Sequence, residues 1–333
     1  MNVLLGVLGS VLIITVLGDV IRTSLSMKGA GVLSGRFADT LWSAALYFHQ
    51  RHNLHGLLSF MGTGILVAVI AMWVLLLWVG WSLFFAMDPG SVVLASSGER
   101  AGVLEKFYFA GYTLITLGNG EYRPDGGFWQ LATLLASTTG FFAITLSITF
   151  LLSVLPAVVG KRKLSSYIAS LGMRPDELIV NGWHEDTCQL LADHFNSLNA
   201  DLSEVAQQHL AYPVLHYFHS TDYRTALPLR LAALDEALGY LLNGLDGCER
   251  EAADALALRH TTRWFLDTLE NVFIKAHQNV PDPPPLHALE GRGIALRGMA
   301  EYLRGVEQEE GRRQLLLGYL RKDGWAWEDV FRE

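Results

Sequence analysis

Three long apolar stretches dominate the first half of the chain, at residues 3–21, 57–87 and 128–159. Each is long enough to cross the hydrocarbon core of a bilayer, which takes about 20 mostly apolar residues in a helix. The second and third exceed that length, so we expect them to tilt or to extend beyond the core. The pattern therefore predicts three transmembrane helices in a multi-pass protein of the cell membrane.

The first apolar stretch admits a second interpretation, because the core of a cleaved signal peptide is also apolar. No basic residue precedes it, however, and no small-residue cleavage site followed by a polar mature start is present. These two observations favour a retained transmembrane helix over a signal peptide.

From residue 164 onward the apolar residues recur mainly at helical spacing, with strong runs at 201–219, 227–242 and 254–277. A Pro-rich segment at 281–285 predicts a rigid break between helices. The pattern favours a compact helical bundle, although the apolar run at 178–181 also fits a short strand.

A shorter apolar run at 107–115 lies between the second and third long stretches. It suits a half-helix that enters the membrane and directs its negative C-terminal dipole at a cation. Two glycines follow it at the spacing that allows positive φ and hence a row of carbonyls facing one axis. The competing interpretation is an ordinary Gly-Asn-Gly turn in a re-entrant or extramembrane loop. As an ion-selectivity filter, the segment would offer the carbonyls of Thr116, Leu117, Gly118, Asn119 and Gly120, with Glu121 at the outer mouth.

The run Gly-Asn-Gly-Glu-Tyr-Arg-Pro at 118–124 resembles, position by position, the Gly-Tyr-Gly-Asp-x-x-Pro run of the tetrameric potassium-channel pore family. Thr116 also matches the threonine that opens the filter in that family. The resemblance covers roughly residues 57–163. It implies an all-α membrane fold of outer helix, pore helix, filter and inner helix. It further implies a homotetramer around a central axis, with K⁺ as the permeant ion and no cofactor.

Three positions depart from the family pattern. Asn119 stands where the family has Tyr or Phe, a ring that packs behind the filter and braces it. Leu117 replaces Val, and Glu121 replaces Asp while keeping a negative charge that would concentrate cations. The missing ring makes a weakly selective cation channel the alternative to a potassium-selective one.

The third stretch would be the inner helix of this resemblance. Thr138, Thr145 and Thr149 share one face and would line a wet cavity below the filter; alternatively, their hydroxyls bond back to their own helix. Gly140 would be a hinge, or a site of close helix packing. Pro156 would kink the helix near its inner end, where a gate would close.

The resemblance divides the chain into three parts. Residues 1–56 would hold the extra N-terminal transmembrane helix and an amphipathic helix at 35–53. Residues 57–163 would form the channel pore domain, and residues 164–333 a helical cytoplasmic domain. The amphipathic helix has Phe37, Leu41, Ala45 and Phe48 on one face and resembles the slide helix that lies on membrane lipid in some channels of the family. A soluble connecting helix is the alternative.

Loop charges predict the orientation of the helices. Basic loops face the cytoplasm, so the filter loop should lie outside and the C-terminal domain inside. The basic residues in question are Arg22, Lys28, Arg36 and Arg51 before the second stretch, and Lys161, Arg162 and Lys163 after the third.

Charge also limits the function of the C-terminal half. Residues 1–160 carry seven Lys or Arg and seven Asp or Glu, so the net charge of −8 resides in residues 161–333. Nucleic-acid binding needs a basic face, so this acidity argues against a nucleic-acid partner. The two cysteines, Cys188 and Cys248, are expected to be free thiols.

No catalytic motif is recognisable, which favours a protein that is not an enzyme. His209, His216 and His219 have spacings found in helical metal sites, but no clear set of further ligands accompanies them. They are better interpreted as core or interface histidines, and we expect no metal site. A membrane enzyme built on these histidines is the weakest of the functional hypotheses.

The sequence thus predicts a potassium-selective channel subunit that conducts passively and is gated by an unknown signal through its cytoplasmic domain, with an unidentified cytoplasmic regulator as a possible partner. No transmembrane stretch is rich in Arg, so steep voltage sensing is not expected. The alternative of another class is a non-conducting membrane-anchored signalling or scaffold protein.

Overall fold

The structure, a computed structural model, describes residues 2–26, 29–52 and 54–332. Lys28, part of the predicted basic loop, and Asn53, the end of the predicted amphipathic helix, lie outside the described residues.

The chain forms two compact units. The first comprises Met1–Leu41 and Gly64–Val154, and the second comprises Trp42–Thr63 and Leu155–Glu333. The chain passes between the units three times, each time within or next to a continuous helix. A segment that starts in one unit therefore ends in the other without a flexible linker.

The first half of the chain is mostly helical. Three of its helices are long and apolar enough to cross a membrane, as the hydropathy pattern predicts. Its elements are α1 (Val3–Leu25), α2 (Val32–His52), α3 (His55–Ala86), β1 (Val92–Leu94), α4 (Val103–Leu114), β2 (Tyr122–Pro124) and α5 (Gly127–Leu171).

The boundaries of α1 and α3 lie close to the predicted ones, but α5 is longer. It continues past Pro156 and past the predicted end at residue 159, as one helix of 45 residues. Proline removes one backbone donor from a helix and crowds the preceding turn, yet here the helix persists on both sides of it. The basic residues that follow residue 160 are therefore part of α5.

A small antiparallel sheet corrects the expectation of an all-α fold. Val92 pairs with Pro124 and Leu94 pairs with Tyr122. Next to this sheet, the Ala95 amide donates to the Glu121 carbonyl at 2.9 Å. Strands of three residues are too short to show an alternating pattern, so periodicity does not predict them. The sheet ties together the two ends of the chain segment that contains α4 and the predicted filter.

The second unit is a helical bundle, as predicted. The apolar run at 178–181 belongs to a helix, so the possible strand there is wrong. Its α-helices are α6 (Pro175–Gly182), α7 (Gln189–Ala192), α8 (Phe195–Ala211), α9 (Leu227–Gly239), α10 (Ala252–Glu270), α11 (Met299–Glu307) and α12 (Glu310–Asp323). A π-helical turn (Tyr240–Gly244) follows α9, and 3₁₀ turns lie at Pro213–Tyr217, Leu286–Leu289 and Trp327–Phe331.

Helix α9 is the centre of the bundle, because every residue from Leu227 to Leu238 is buried. Two of these residues are acids. Asp235 accepts from Arg312 Nε at 2.9 Å, and Glu236 accepts from Arg313 Nε at 2.7 Å. Unpaired buried charges are costly, so these ion pairs fix the position of α12 against α9.

A carboxylate buried in the first unit holds α1, α2 and α3 together. Asp19 of α1 is 6% exposed. Its oxygens accept from the backbone amides of Leu33 and Ser34, at 2.8 and 3.2 Å, and from the Trp73 indole at 3.0 Å. It also accepts from the Ser34 hydroxyl. Asp19 thus caps the N-terminus of α2, where free amides and the helix dipole favour a negative group.

Helix α2 buries one face in the protein. Phe48, on the apolar face that the slide-helix resemblance would place on lipid, is 53% exposed. Trp42 is fully buried, and its indole donates to the Lys322 carbonyl at 3.0 Å. The buried positions of the helix are Ser34, Ala38, Trp42, Ala45 and His49.

Replacing Asp19 with alanine should destabilise the protein. The amides of Leu33 and Ser34 and the indole of Trp73 would lose their common acceptor in a dry site. We expect a loss of at least about 2 kcal/mol, since each unsatisfied buried donor costs roughly 1–3 kcal/mol. Thermal unfolding of the purified, detergent-solubilised protein measures this effect.

Glu99→Ala is the matched control, because Glu99 is an exposed acid in the loop after β1. If Asp19→Ala unfolded at the same temperature as Glu99→Ala, the capping role of Asp19 would be wrong.

Candidate functional site

Helix α4 leads the chain into the predicted filter. Its N-terminus is closed by the Glu105 carboxylate, which accepts from the Gly102 amide at 2.5 Å. Its side is held by Trp78 of α3, whose ring stacks on Phe107 at 4.5 Å and whose indole donates to the Phe107 carbonyl at 2.7 Å. The Leu117 amide donates to the Tyr112 carbonyl at 2.8 Å, so the last turn of α4 continues directly into the filter segment.

The backbone of the filter segment alternates in the sign of φ. Thr116, Gly118 and Gly120 have φ of +58°, +62° and +75°, while Leu117 and Asn119 between them have negative φ. An extended strand points successive carbonyls to opposite sides, and alternation with left-handed residues allows them to face one side. Positive φ at a β-branched residue such as Thr116 is unfavourable, and such strain concentrates at functional sites.

The filter segment is exposed within one chain. Every residue from Thr116 to Glu121 is exposed, with Leu117 at 63%. A Cβ placed on Gly118 or Gly120 would meet no atom within 4 Å. One side of the segment therefore has no neighbour in the described part of this chain.

Asn119 makes a contact that its departure from the family pattern did not predict. Its amide donates to the Tyr108 hydroxyl of α4 at 2.8 Å. The Tyr108 ring packs edge-on against Tyr112 at 5.2 Å, and the Tyr112 hydroxyl donates to the Tyr122 carbonyl at 2.8 Å. Tyr108 of α4 thus contacts the filter segment at Asn119, the position at which the resembled family carries an aromatic ring of its own.

Gly140 of α5 lies against the end of α4. A Cβ at this position would collide with the Leu114 carbonyl, and Gly140 is buried. Of the two sequence interpretations, this contact supports close packing, because only glycine allows the α5 backbone to approach the last turn of α4. Leu114 is two residues from Thr116, so Gly140 lies directly behind the base of the filter segment.

The three threonines predicted to line a cavity share an exposed face of α5. Their hydroxyls donate to backbone carbonyls one turn earlier, at 2.8 Å for Thr138, 2.9 Å for Thr145 and 3.1 Å for Thr149. Such bonds satisfy the hydroxyl donor while leaving its oxygen able to accept. The same face carries exposed apolar side chains, including Phe141, Ile148 and Leu152.

Pro156, the predicted gate position, is in the second unit and inside continuous α5. Among the predicted site residues, Gly140 therefore lies directly behind the filter segment, the threonines lie along α5, and Pro156 is distant from the filter along the helix.

The histidines of the bundle do not share one ligand. His209 and His216 are buried and lie 5.2 Å apart between ring centroids. Burial, and then the nearby Lys161 charge, lower the pKa of His209 to about 3, so its ring stays neutral. His219 instead bonds to Asp323. Among the described residues, no group of three or more His, Cys, Asp or Glu side chains is arranged to hold a metal ion.

The sequence profile of a family described as "Ion channel" matches residues 68–156. This range contains most of α3, all of α4, the filter segment and α5 as far as Pro156. A Bacillus subtilis (strain 168) protein described as the uncharacterized membrane protein YdjJ is 31% identical over 313 residues. The alignment covers 93% of this chain and 91% of the relative. No solved structure matches the chain.

This chain belongs to the same family of membrane proteins as YdjJ. The match extends far beyond the ion-channel domain and includes the residues of the helical bundle. The chain is therefore a membrane protein with an ion-channel domain.

Two contacts of this region could have been recognised from sequence. Tyr108 and Tyr112 are one helical turn apart, on one face of a short helix that ends at the filter. Asp19 is an acid within a transmembrane stretch, a position where ionisable residues are expensive and usually functional.

Gly140→Ala should destabilise the channel domain. The added methyl group would push α5 away from the Leu114 carbonyl, and overpacking of this kind costs about 1–3 kcal/mol. Thermal unfolding of the purified protein measures this loss of stability.

Gly64→Ala is the matched control, because Gly64 is also a helical glycine of the first unit but a Cβ there meets no atom within 4 Å. Alanine is the better helix former, so Gly64→Ala should be neutral or slightly stabilising. Equal behaviour of the two variants would contradict the close contact at Gly140.

Proposed function

We propose that the protein is a potassium-selective cation channel subunit that conducts passively through the backbone carbonyls of residues 116–120. The single observation that carries this proposal is the alternation of φ at Thr116, Gly118 and Gly120, immediately after a helix that ends at the filter. An ordinary turn has no reason to place a strained threonine in register with two left-handed glycines.

The exposure of the filter segment supports assembly into a homotetramer. Each chain carries one filter segment, and one side of it has no neighbour in the described part of the chain. Four copies around an axis would surround one ion path with carbonyls and would bring the Thr138, Thr145 and Thr149 faces toward a common cavity. Glu121 would add four negative charges at the mouth and raise the local cation concentration.

The basic loops support the orientation proposed for the channel. The filter loop would face the outside of the cell membrane, and the helical bundle would lie in the cytoplasm, where it could receive a gating signal. The net charge of −8 carried by the C-terminal half remains an argument against a nucleic-acid partner.

Cation flux from purified protein in liposomes tests this function. Wild-type protein should pass K⁺ faster than Na⁺, and Gly118→Asp should abolish the flux, because a side chain at φ +62° distorts the carbonyl row and places a carboxylate beside it.

The matched control is Gly98→Asp. Gly98 has φ +75° and a Cβ there meets no atom within 4 Å, but it lies in the loop after β1. Flux retained in Gly98→Asp and lost in Gly118→Asp would locate the pore at the filter segment. Absence of flux from folded, tetrameric wild-type protein over a broad range of conditions would favour a non-conducting signalling or scaffold protein. Equal K⁺ and Na⁺ flux would favour a weakly selective channel.

Tyr108→Phe should reduce the preference for K⁺ over Na⁺. It keeps the ring but removes the hydroxyl that accepts from Asn119, so the filter would lose a lateral support. Loss of one such hydrogen bond, worth about 1 kcal/mol, corresponds to roughly a fivefold change in selectivity if the bond acts only on the selective conformation. The bi-ionic reversal potential measures this change in selectivity.

Tyr47→Phe is the control for this change, since Tyr47 is an exposed residue of α2 whose ring contacts would persist. Selectivity unchanged in Tyr108→Phe would show that the Asn119 contact does not brace the filter.

A further inference from the structure

The end of α2 and the start of α3 contact the bundle in a cluster of three histidines and one aspartate, all in the second unit. His49 lies near the end of α2, His55 is the first residue of α3, His219 follows the 3₁₀ turn after α8, and Asp323 is the last residue of α12. His55 Nδ1 lies 3.2 Å from His219 Nε2, and His219 Nδ1 lies 3.1 Å from Asp323 Oδ2. The His49 and His55 rings are 4.4 Å apart.

The hydrogen bonds of this cluster are all satisfied when the three histidines are neutral. A carbonyl only accepts, so His49 Nε2 donates to the Gly324 carbonyl, 3.1 Å away. A carboxylate only accepts, so His219 Nδ1 donates to Asp323 and its Nε2 is left to accept from His55 Nδ1. Each ring then carries one proton, and the relay runs from His55 through His219 to the carboxylate.

The cluster is buried at one end and accessible at the other. His219 and Asp323 are each 1% exposed, and His49 is 6% exposed. His55 is half-buried, so it is the member that exchanges protons with solvent most readily. His49 Nδ1 and Asp323 Oδ1 have no hydrogen-bond partner in the described part of the chain.

Other charged groups face the cluster from each neighbouring element. Lys161 of α5 interacts electrostatically with Asp323, and its ammonium group donates to the Phe218 carbonyl at 2.9 Å. Asp329 of the last 3₁₀ turn interacts electrostatically with His55, as the Tyr319 hydroxyl of α12 does with Asp323. Asp323 and Asp329 are therefore the acids that face the histidines, and Lys161 is the cation.

A first added proton can be accepted, but further ones disrupt the contacts. One proton on His219 Nε2 is tolerated if the His55 proton moves from Nδ1 to Nε2. His55 Nδ1 then accepts a hydrogen bond from His219 Nε2. A proton on His55 as well would set two N–H groups against each other at 3.2 Å. A proton on His49 would occupy Nδ1, where no acceptor is available, beside the charged His55 ring. Further protonation would therefore separate His49 and His55 from His219 and Asp323.

We propose that the His49, His55, His219 and Asp323 cluster is a proton-responsive junction through which acidification regulates ion conduction. The regulatory part rests on the proposed channel function, whereas the junction itself does not. Helix α3 runs without a break from His55 to Ala86 and carries Trp78, which holds α4. A displacement of the first residue of α3 is thus transmitted along the helix that supports the filter.

The other two buried histidines of the bundle, His209 and His216, cannot form a proton-responsive junction. The pKa of His216 is lowered well below its ordinary value by burial and then by the neighbouring His209. His216 stacks on Phe273 at 4.4 Å, and its Nδ1 has no partner in the described residues. A proton placed there has no acceptor at all, so this pair resists protonation until the bundle unfolds.

Trp325 is a native reporter of the junction. Its ring lies 4.6 Å from His55 and 5.3 Å from His219, and it is 3% exposed. Imidazolium quenches indole fluorescence far more strongly than neutral imidazole does. The Trp325 signal is obtained as the difference between full-length protein and its Trp325→Phe variant, both purified in lipid nanodiscs. Burial, and then the neighbouring His49 and His219, lower the pKa of His55. We therefore expect a fall of about twofold between pH 7.5 and about pH 5, most of it below the pH at which an ordinary histidine is half protonated.

His55→Asn is the decisive variant, because the asparagine amide can still donate to His219 Nε2 but does not titrate. It should remove most of the pH response of Trp325 while leaving the protein folded. His260→Asn is the matched control, since His260 is an exposed histidine of α10, and it should leave the response unchanged. A pH-independent Trp325 signal in wild-type protein, or an unaltered response in His55→Asn, would overturn the junction.

Potassium flux in liposomes at the same two pH values tests the regulatory part. We expect wild-type flux to change at least about threefold and the flux of His55→Asn to change little, because the variant cannot take up the proton. A Trp325 response with pH-independent flux would overturn the regulation. A Trp325 response that His55→Asn removes, together with no flux at any pH, would keep the junction and instead overturn the proposed channel function.

Discussion

Backbone polar groups in a membrane protein must be satisfied, and this constraint governs the arrangement around residues 115–121. Irregular backbone at membrane depth is tolerated only where it is buried in protein or lines water. Here a segment without secondary structure follows α4, between two helices of membrane-spanning length. The last turn of α4 holds one end of this segment, and the β1–β2 sheet holds the other. The side of the segment that carries the carbonyls is uncovered.

The contacts that hold this segment come from helices on either side. Trp78 of α3 fixes the side of α4, Gly140 allows α5 to approach the last turn, and Tyr108 reaches back to Asn119. Each contact acts on α4 or on the filter side chains, and none occupies the exposed side of the filter. These contacts therefore leave the strained backbone exposed, and the proposed tetramer would cover it.

Sequence reasoning predicted the three spans and the short helix α4 because they depend on the length of apolar runs, and it proposed a filter after α4 from glycine spacing and a proline. It did not find the contacts that join distant positions, such as Asp19 with Ser34 and Trp73, or His55 with His219 and Asp323. A buried face is decided by what packs against it, which explains why α2 buries Trp42 and His49 while Phe48 is exposed. The short strands at 92–94 and 122–124 were missed for a similar reason, since only their pairing identifies them.

The placement of ionisable residues indicates how the two units can influence each other. Asp19 and the Asp235 and Glu236 pairs are each compensated by several fixed donors or by arginines that remain charged, so they are structural. The histidine cluster is different, because its hydrogen bonds depend on which ring nitrogens carry protons. It also lies where α2 ends and α3 begins, and both helices continue into the first unit. The proposed junction would therefore act at the ends of these two helices.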